Sequence, residues 1–181
     1  NKKIIFTSNY KSKSGVHFGC RFINYKNNIL FSIGDRGDRN NSQNSKNYPG
    51  SIIKIDYEGN HEVKKEGWLS GIYSMGHRNP QGLYVENQLV IATEHGPQGG
   101  DEINKIIYKG NYGWPVASYG KLGDENKRKI NPDIIKLLNS HEKNGFVEPI
   151  KYFETSIGIS ETIKNYFENQ NNYNSYFVTS M

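Results

Sequence analysis

The chain carries one cysteine, two tryptophans and six prolines in 181 residues, and it has no long apolar run. A lone Cys20 cannot close an intramolecular disulfide, which excludes a disulfide scaffold and a cysteine-rich zinc module without naming a redox compartment. The longest apolar stretches, Ile4-Ile5-Phe6 and Leu89-Val90-Ile91-Ala92, fall far short of the roughly 20 residues that a membrane helix needs. A soluble chain without a membrane span is therefore expected. The first residue is Asn1 and no charged-then-apolar leader precedes it, so any targeting peptide is expected to have been removed or to lie outside the chain. Helical periodicity is scarce too, and one stretch carries it: residues 132–138, opened by a proline suited to a first turn.

Charge of one sign is not concentrated anywhere. Lys+Arg number 23 against 18 Asp+Glu, a formal net charge of +5, but the basic residues are interspersed with acids and no recognition motif accompanies them. That distribution argues against nucleic-acid binding. What the chain does have is 13% aromatic and 34% hydrophobic residues, material for one ordinary domain that buries roughly 70% of its unfolded surface. Disorder does not fit that composition.

Short β-branched or aromatic segments bounded by Gly, Asn, Asp or Pro predict strands at 4–7, 19–24, 29–33, 51–57, 82–85, 88–93, 102–108, 149–153 and 175–180. The pattern is all-β, and a sandwich or a propeller would satisfy it equally. Blades of four strands take roughly 40 to 50 residues each, so the chain has room for about four. Residues 121–145, rich in Lys and Asn, read as a surface insertion within a single domain spanning 1–181. Two loops, 34–50 and 94–101, are longer and more polar than a hairpin requires, which is where function usually lies.

The chemistry-bearing residues cluster in Gly76-His-Arg-Asn-Pro-Gln-Gly82, Thr93-Glu-His-Gly-Pro-Gln-Gly-Gly-Asp-Glu-Ile-Asn104 and Gly110-Asn-Tyr-Gly-Trp-Pro115. Glycines at 96, 99 and 100 allow close backbone approach to a ligand, and exposed carbonyls are hard donors of the kind calcium accepts. Turn formation with loop salt bridges from Arg78 and Asp101 explains the same spacing as well. Zinc spacings of the His-x-x-x-His or His-Glu-x-x-His type, a Gly-x-Ser-x-Gly elbow and a Gly-x-Gly-x-x-Gly fingerprint are all missing, so zinc hydrolysis, serine hydrolysis and a Rossmann nucleotide site fall away.

These three motifs, in this order, closely resemble the soluble pyrroloquinoline-quinone (PQQ)-dependent sugar dehydrogenases, the glucose/sorbosone or aldose sugar dehydrogenase family. His17-Phe-Gly-Cys-Arg-Phe22 and Ser32-Ile-Gly-Asp-Arg-Gly37 match upstream elements of that family. The resemblance implies a six-bladed β-propeller, present here as an incomplete stretch that lacks the first blade and the last ones, with the quinone at the top of the central channel. It implies that His17 is the general base, taking the proton of the sugar's anomeric hydroxyl as hydride leaves for the quinone. An imidazole suits that task because it titrates near neutrality. It further implies Arg78 beside the quinone oxygen, Asn79 and Gly96 as cofactor contacts, the carbonyls of Gly96 and Pro97 on a catalytic Ca²⁺, and Glu102 with the carbonyl of Tyr112 on a structural Ca²⁺. Arg36, Asn40 and Gln43 sit in a loop that reaches the quinone in the family.

The expected activity is oxidation of an aldose to its lactone, with PQQ and Ca²⁺ as cofactors. An external electron acceptor, a periplasmic or secreted setting and an open option of a homodimer accompany it. The alternative is a calcium-stabilised propeller that binds sugar or protein without turnover. One departure favours that alternative: where the family usually reads Ser-Ile-Ala-Pro-Ser-Gly, this chain has Ser156-Ile-Gly-Ile-Ser-Glu161.

Overall fold

The computed structural model describes residues 2–61, 65–121, 140–166 and 175–181. The helix expected over 132–138, and most of the insertion expected over 121–145, lie outside the described residues. The rest is all-β. β1 (Gly19–Tyr25), β2 (Asn28–Ile33), β3 (Ser51–Asp56) and β4 (Ile72–Met75) form one antiparallel sheet in chain order. β5 (Pro80–Glu86), β6 (Leu89–Glu94), β7 (Asp101–Lys105) and β8 (Lys151–Phe153) form a second, and β9 (Ile159–Lys164) pairs with β10 (Tyr176–Ser180) in a third. Among the described residues no helix is long and apolar enough to cross a membrane.

The first strand of each sheet packs on the first strand of the next, β1 on β5 and β5 on β9. Successive four-stranded meanders stacked by their inner strands are the blades of a β-propeller, of which the chain holds a part. The described residues contain two four-stranded sheets and one pair of strands.

Between the first two sheets, Leu30, Ile52, Tyr73, Leu83, Val90, Ala92 and Tyr112 make one apolar core. Ile53, Ile55, Ile72, Met75 and Tyr48 make another on the opposite face of the first sheet. Ile52 and its neighbour Ile53 thus bury opposite faces of β3, which is why that strand is apolar without alternation. The segment 4–7, expected as a strand, pairs with none. Its Ile5 and Phe6 instead cap the second core, with the Phe6 ring edge-on to Phe31 at 4.8 Å and to Tyr48 at 5.0 Å.

Antiparallel register decides where the polar loops go. Gly19 pairs with Ile33, Ile33 with Ser51 and Ser51 with Met75. In the second sheet Pro80 pairs with Glu94, Glu94 with Glu102 and Asp101 with Phe153. The residues before β1, between β2 and β3, between β4 and β5 and between β6 and β7 therefore emerge at one end of the sheets. His17, the 34–50 loop, Gly76–Asn79 and the 95–100 turn all belong to that end.

Candidate active site

His17 stands just ahead of β1 in left-handed backbone, φ 53°. Its Nδ1 lies 2.6 Å from Oδ1 of Asp35, which is almost wholly buried, while the imidazole keeps about a fifth of its surface exposed. A carboxylate only accepts, so Nδ1–H donates and Nε2 is left as the basic nitrogen, turned away from Asp35. The same carboxylate takes the Gly37 N–H at 2.8 Å and the Trp114 indole N–H at 2.9 Å. Trp114 is held in turn by its own N–H to Gly76 O and by Gln43, whose amide donates to Trp114 O at 2.7 Å and exchanges hydrogen bonds with Asn111.

Arg78 and Asn79 lead into β5. The Arg78 guanidinium donates to the His95 carbonyl at 3.1 Å and lies 5.5 Å from the Trp114 ring, within cation–π range. Its carbonyl accepts the Asp35 N–H at 2.8 Å, so Asp35 and Trp114 join His17 to Arg78. Asn79 is buried, and its Oδ1 accepts the Gly19 N–H at 3.2 Å. Beneath Arg78, its backbone N–H donates to Glu94, which also takes Nδ1–H of the fully buried His77 at 3.0 Å and the Asn104 amide at 2.9 Å. Burial pushes the Glu94 carboxyl up, but His77 and the Arg78 N–H outweigh it and hold the group below the usual carboxylate range.

Arg78, Gly96, Glu102, Tyr112, Trp114 and His141 line one cavity of about 10 Å³. His17 is not part of its lining and is joined to it through Asp35, which bonds both Trp114 and Arg78. Glu102 is buried there, with Asn104 at 3.1 Å and His141 at 3.5 Å. Burial first, and Glu94 next, push its carboxyl well above the ordinary value. Tyr112 is buried with its ring stacked on His77 at 4.5 Å, and its hydroxyl donates to Lys105 O.

The 95–100 turn is tight: a Cβ on Gly96 would lie 2.0 Å from Gly99 O and 2.5 Å from Gly100 O. Pro97 packs over Gly120, where a Cβ would come within 2.6 Å of Pro97 Cδ. Fully buried Asp101 anchors this turn. Its carboxylate accepts from Gly96 N at 3.0 Å, Ile157 N at 3.0 Å, Ile159 N at 3.1 Å and Ser156 Oγ at 2.9 Å. Those bonds hold its carboxyl low against the opposing effect of burial.

The sequence model of the glucose/sorbosone dehydrogenase family matches residues 1–181. The chain belongs to that family. It is 35% identical over 169 residues to aldose sugar dehydrogenase YliI of Escherichia coli K12, covering 87% of this chain and 43% of that one. A crystal structure of a glucose dehydrogenase superposes with a TM-score of 0.79 at 28% identity, covering 98% of this chain and 52% of the other. The PQQ-bound aldose sugar dehydrogenase of Streptomyces coelicolor gives a TM-score of 0.63 at 29% identity, with 83% and 40% covered. The chain spans about half the length of these relatives.

Against the usual family pattern, Ile159 stands in place of a proline and is wholly buried. Its N–H donates to Asp101, a bond proline cannot make. Ile159→Pro is expected to lower stability by about 1–2 kcal/mol through that lost bond, read as a lower thermal midpoint. Glu161, in place of a glycine, forms a 2.8 Å ion pair with Arg21 of β1, joining the first and third sheets. Reasoning from sequence missed four residues of this end as site components: Asp35, Glu94, Asp101 and Trp114. Each lies inside a motif already singled out, so motif membership was the available signal, and the partners were not.

Among the described residues no three His, Cys, Asp or Glu side chains gather to hold a metal ion. A calcium site here would rest on backbone oxygens and one carboxylate. In the 96–100 turn it is the carbonyls of Gly99 and Gly100 that crowd the Cβ position of Gly96, hard oxygens of the kind calcium accepts. Glu102 fits as well: a buried carboxylate pushed upward by its surroundings would be relieved by a cation.

Proposed function

We propose that the protein containing this chain oxidises an aldose at its anomeric hydroxyl to the lactone, as a PQQ-dependent dehydrogenase. The observation that carries the reading is the Asp35 carboxylate, which joins His17 on one oxygen to Trp114 on the other and, through its backbone, to Arg78. With Nδ1–H committed to Asp35, His17 Nε2 is the acceptor for the hydroxyl proton. Arg78, fixed by the His95 carbonyl and lying against the Trp114 ring, supplies a preorganised positive charge for the negative charge that develops as hydride departs. Asn79 and Gly96 would contact the cofactor and the carbonyls of Gly96 and Pro97 the catalytic Ca²⁺, with Glu102 and the Tyr112 carbonyl on a second Ca²⁺. When bound, PQQ supplies the two-electron acceptor and Ca²⁺ the Lewis acid that polarises it. An external electron acceptor and a periplasmic or secreted setting belong to the same proposal.

The test is a titration of the full-length, calcium-loaded protein with PQQ, followed by product analysis with an aldose. Saturable binding with lactone formation supports the dehydrogenase. A folded, calcium-loaded protein that binds no quinone would leave a propeller that binds sugar or protein without turnover.

The calcium assignment makes its own prediction. Ca²⁺ at about 100 times its Kd stabilises a folded site by about 2.7 kcal/mol, seen as a rise of several degrees in thermal midpoint. Glu102→Gln is expected to lose most of that rise. An unchanged rise would remove Glu102 from the donors.

A further inference from the structure

The segment 12–18 that carries His17 belongs to no sheet, so strand pairing does not hold it. The turn Asp35-Arg36-Gly37 does. Arg36 spreads its guanidinium over the segment, donating from one terminal nitrogen to Val16 O at 2.9 Å and from the other to Ser14 O at 2.9 Å. The same guanidinium lies 3.6 Å from the centre of the Phe18 ring. The Arg36 carbonyl accepts from Ser12 Oγ at 3.3 Å. Gly37 sits so close that a Cβ would fall 2.4 Å from Ser14 Oγ. Asp35, the residue before, holds the imidazole itself.

Val16 and Phe18 flank His17, and Arg36 grips both. His17 and Arg36 are each in left-handed backbone, at φ 53° and 61°, a conformation that non-glycine residues keep only where their surroundings enforce it. A planar fork that spans two carbonyls and stacks on a ring is a geometry lysine cannot reproduce.

We infer that Arg36 is a positioning residue for the catalytic base: it clasps the backbone just before His17 and the Phe18 ring just after it so that Nδ1–H meets Asp35 and Nε2 faces the substrate. The inference rests on reading His17 as the base. Misplacing a catalytic group by about 1 Å costs about a hundredfold in rate, and loss of the clasp leaves the sugar-binding surface in place, so kcat and not KM should carry the effect.

The test uses the full-length protein as wild type, Arg36→Lys and Arg36→Gly. The lysine variant keeps the charge without the fork, and the glycine variant removes the side chain where left-handed backbone suits glycine. In ¹⁵N-labelled protein without cofactor, the hydrogen-bonded His17 Nδ1–H proton resonance, assigned by its absence in His17→Gln, is expected to be sharp in wild type and broadened or lost in both variants. Thermal midpoints should stay within a few degrees of wild type. In the PQQ- and calcium-loaded enzyme, kcat is expected to fall by about tenfold or more with KM nearly unchanged. An unaltered His17 resonance in both variants would overturn the inference, as would failure of both to melt cooperatively, which would make Arg36 a residue of the fold. Loss of the resonance in variants of a wild type that oxidises no sugar would uphold the clasp and sink the dehydrogenase reading instead.

Discussion

Asp35→Asn is expected to lower kcat for aldose oxidation by about three to four orders of magnitude, the scale seen when a carboxylate that orients a catalytic histidine becomes an amide. The shape of the side chain is kept, but its hydrogen bonding is not. Asp35 accepts on both oxygens, from His17 and Gly37 on one and from Trp114 on the other. An asparagine has one acceptor oxygen and an NH₂ that donates. If the oxygen stays with Trp114, the amide N–H faces His17 Nδ1 and selects the wrong tautomer, with the proton on Nε2 where the substrate hydroxyl needs a lone pair. If the oxygen turns to His17, the amide opposes the indole N–H and the buried donor goes unpaired. In the first arrangement the base lacks its lone pair, and in the second it keeps its tautomer but loses the carboxylate charge that stabilises the imidazolium, so KM should change far less than kcat. Steady-state kinetics of the loaded enzyme read both, and a kcat within a few-fold of wild type would remove Asp35 from the catalytic arrangement.

The largest stability effect is expected at Asp101. Its carboxylate satisfies three backbone N–H groups and one hydroxyl, tying the 95–100 turn to the entry of β9 across more than fifty residues of chain. Asp101→Ala leaves those donors facing a cavity too small to hydrate them fully, and each unsatisfied buried donor costs about 1–3 kcal/mol. Partial relaxation of the loops brings the sum to about 4 kcal/mol, a fall of more than about 8 °C in thermal midpoint for a chain of this size. Because Gly96 is one of the four, Ca²⁺ affinity should fall together with stability. A variant that melts within 2–3 °C of wild type would show that the two loops do not depend on this bridge.

Much of the fold was legible because glycine, asparagine and proline punctuate it: β1, β2, β3, β5, β6, β8 and β10 start and stop within two residues of where those residues predict. β4 and β9 were not. Ile72-Tyr-Ser-Met75 is short and buried on both faces, so it shows no alternation, and Ile159–Lys164 mixes buried Ile159 and Thr162 with exposed Ile163. Conversely, Ile4-Ile5-Phe6 has a strand's composition but finds its place through side-chain packing on the second core.

At the site, it was the resemblance of whole motifs to the glucose/sorbosone dehydrogenase family, and not residue type or local spacing alone, that pointed to His17, Arg78 and Glu102. The groups that orient them are separated by long stretches of chain, Asp35 from Trp114 by 79 residues and Asp101 from Ile159 by 58. Only the stacking of the sheets brings those pairs together. The departures at 159 and 161 have the same character. Read alone they look like damage to a cofactor loop, yet Ile159 adds a hydrogen bond to Asp101 and Glu161 an ion pair to Arg21.

The most direct test of the account is sugar-dependent dye reduction by the full-length protein loaded with PQQ and Ca²⁺, comparing wild type with His17→Ala. The account predicts turnover in wild type and a loss of about a thousandfold in kcat for the variant, within the range expected for a general base, with quinone binding retained. Quinone bound without turnover in wild type, or turnover in His17→Ala equal to wild type, would contradict it.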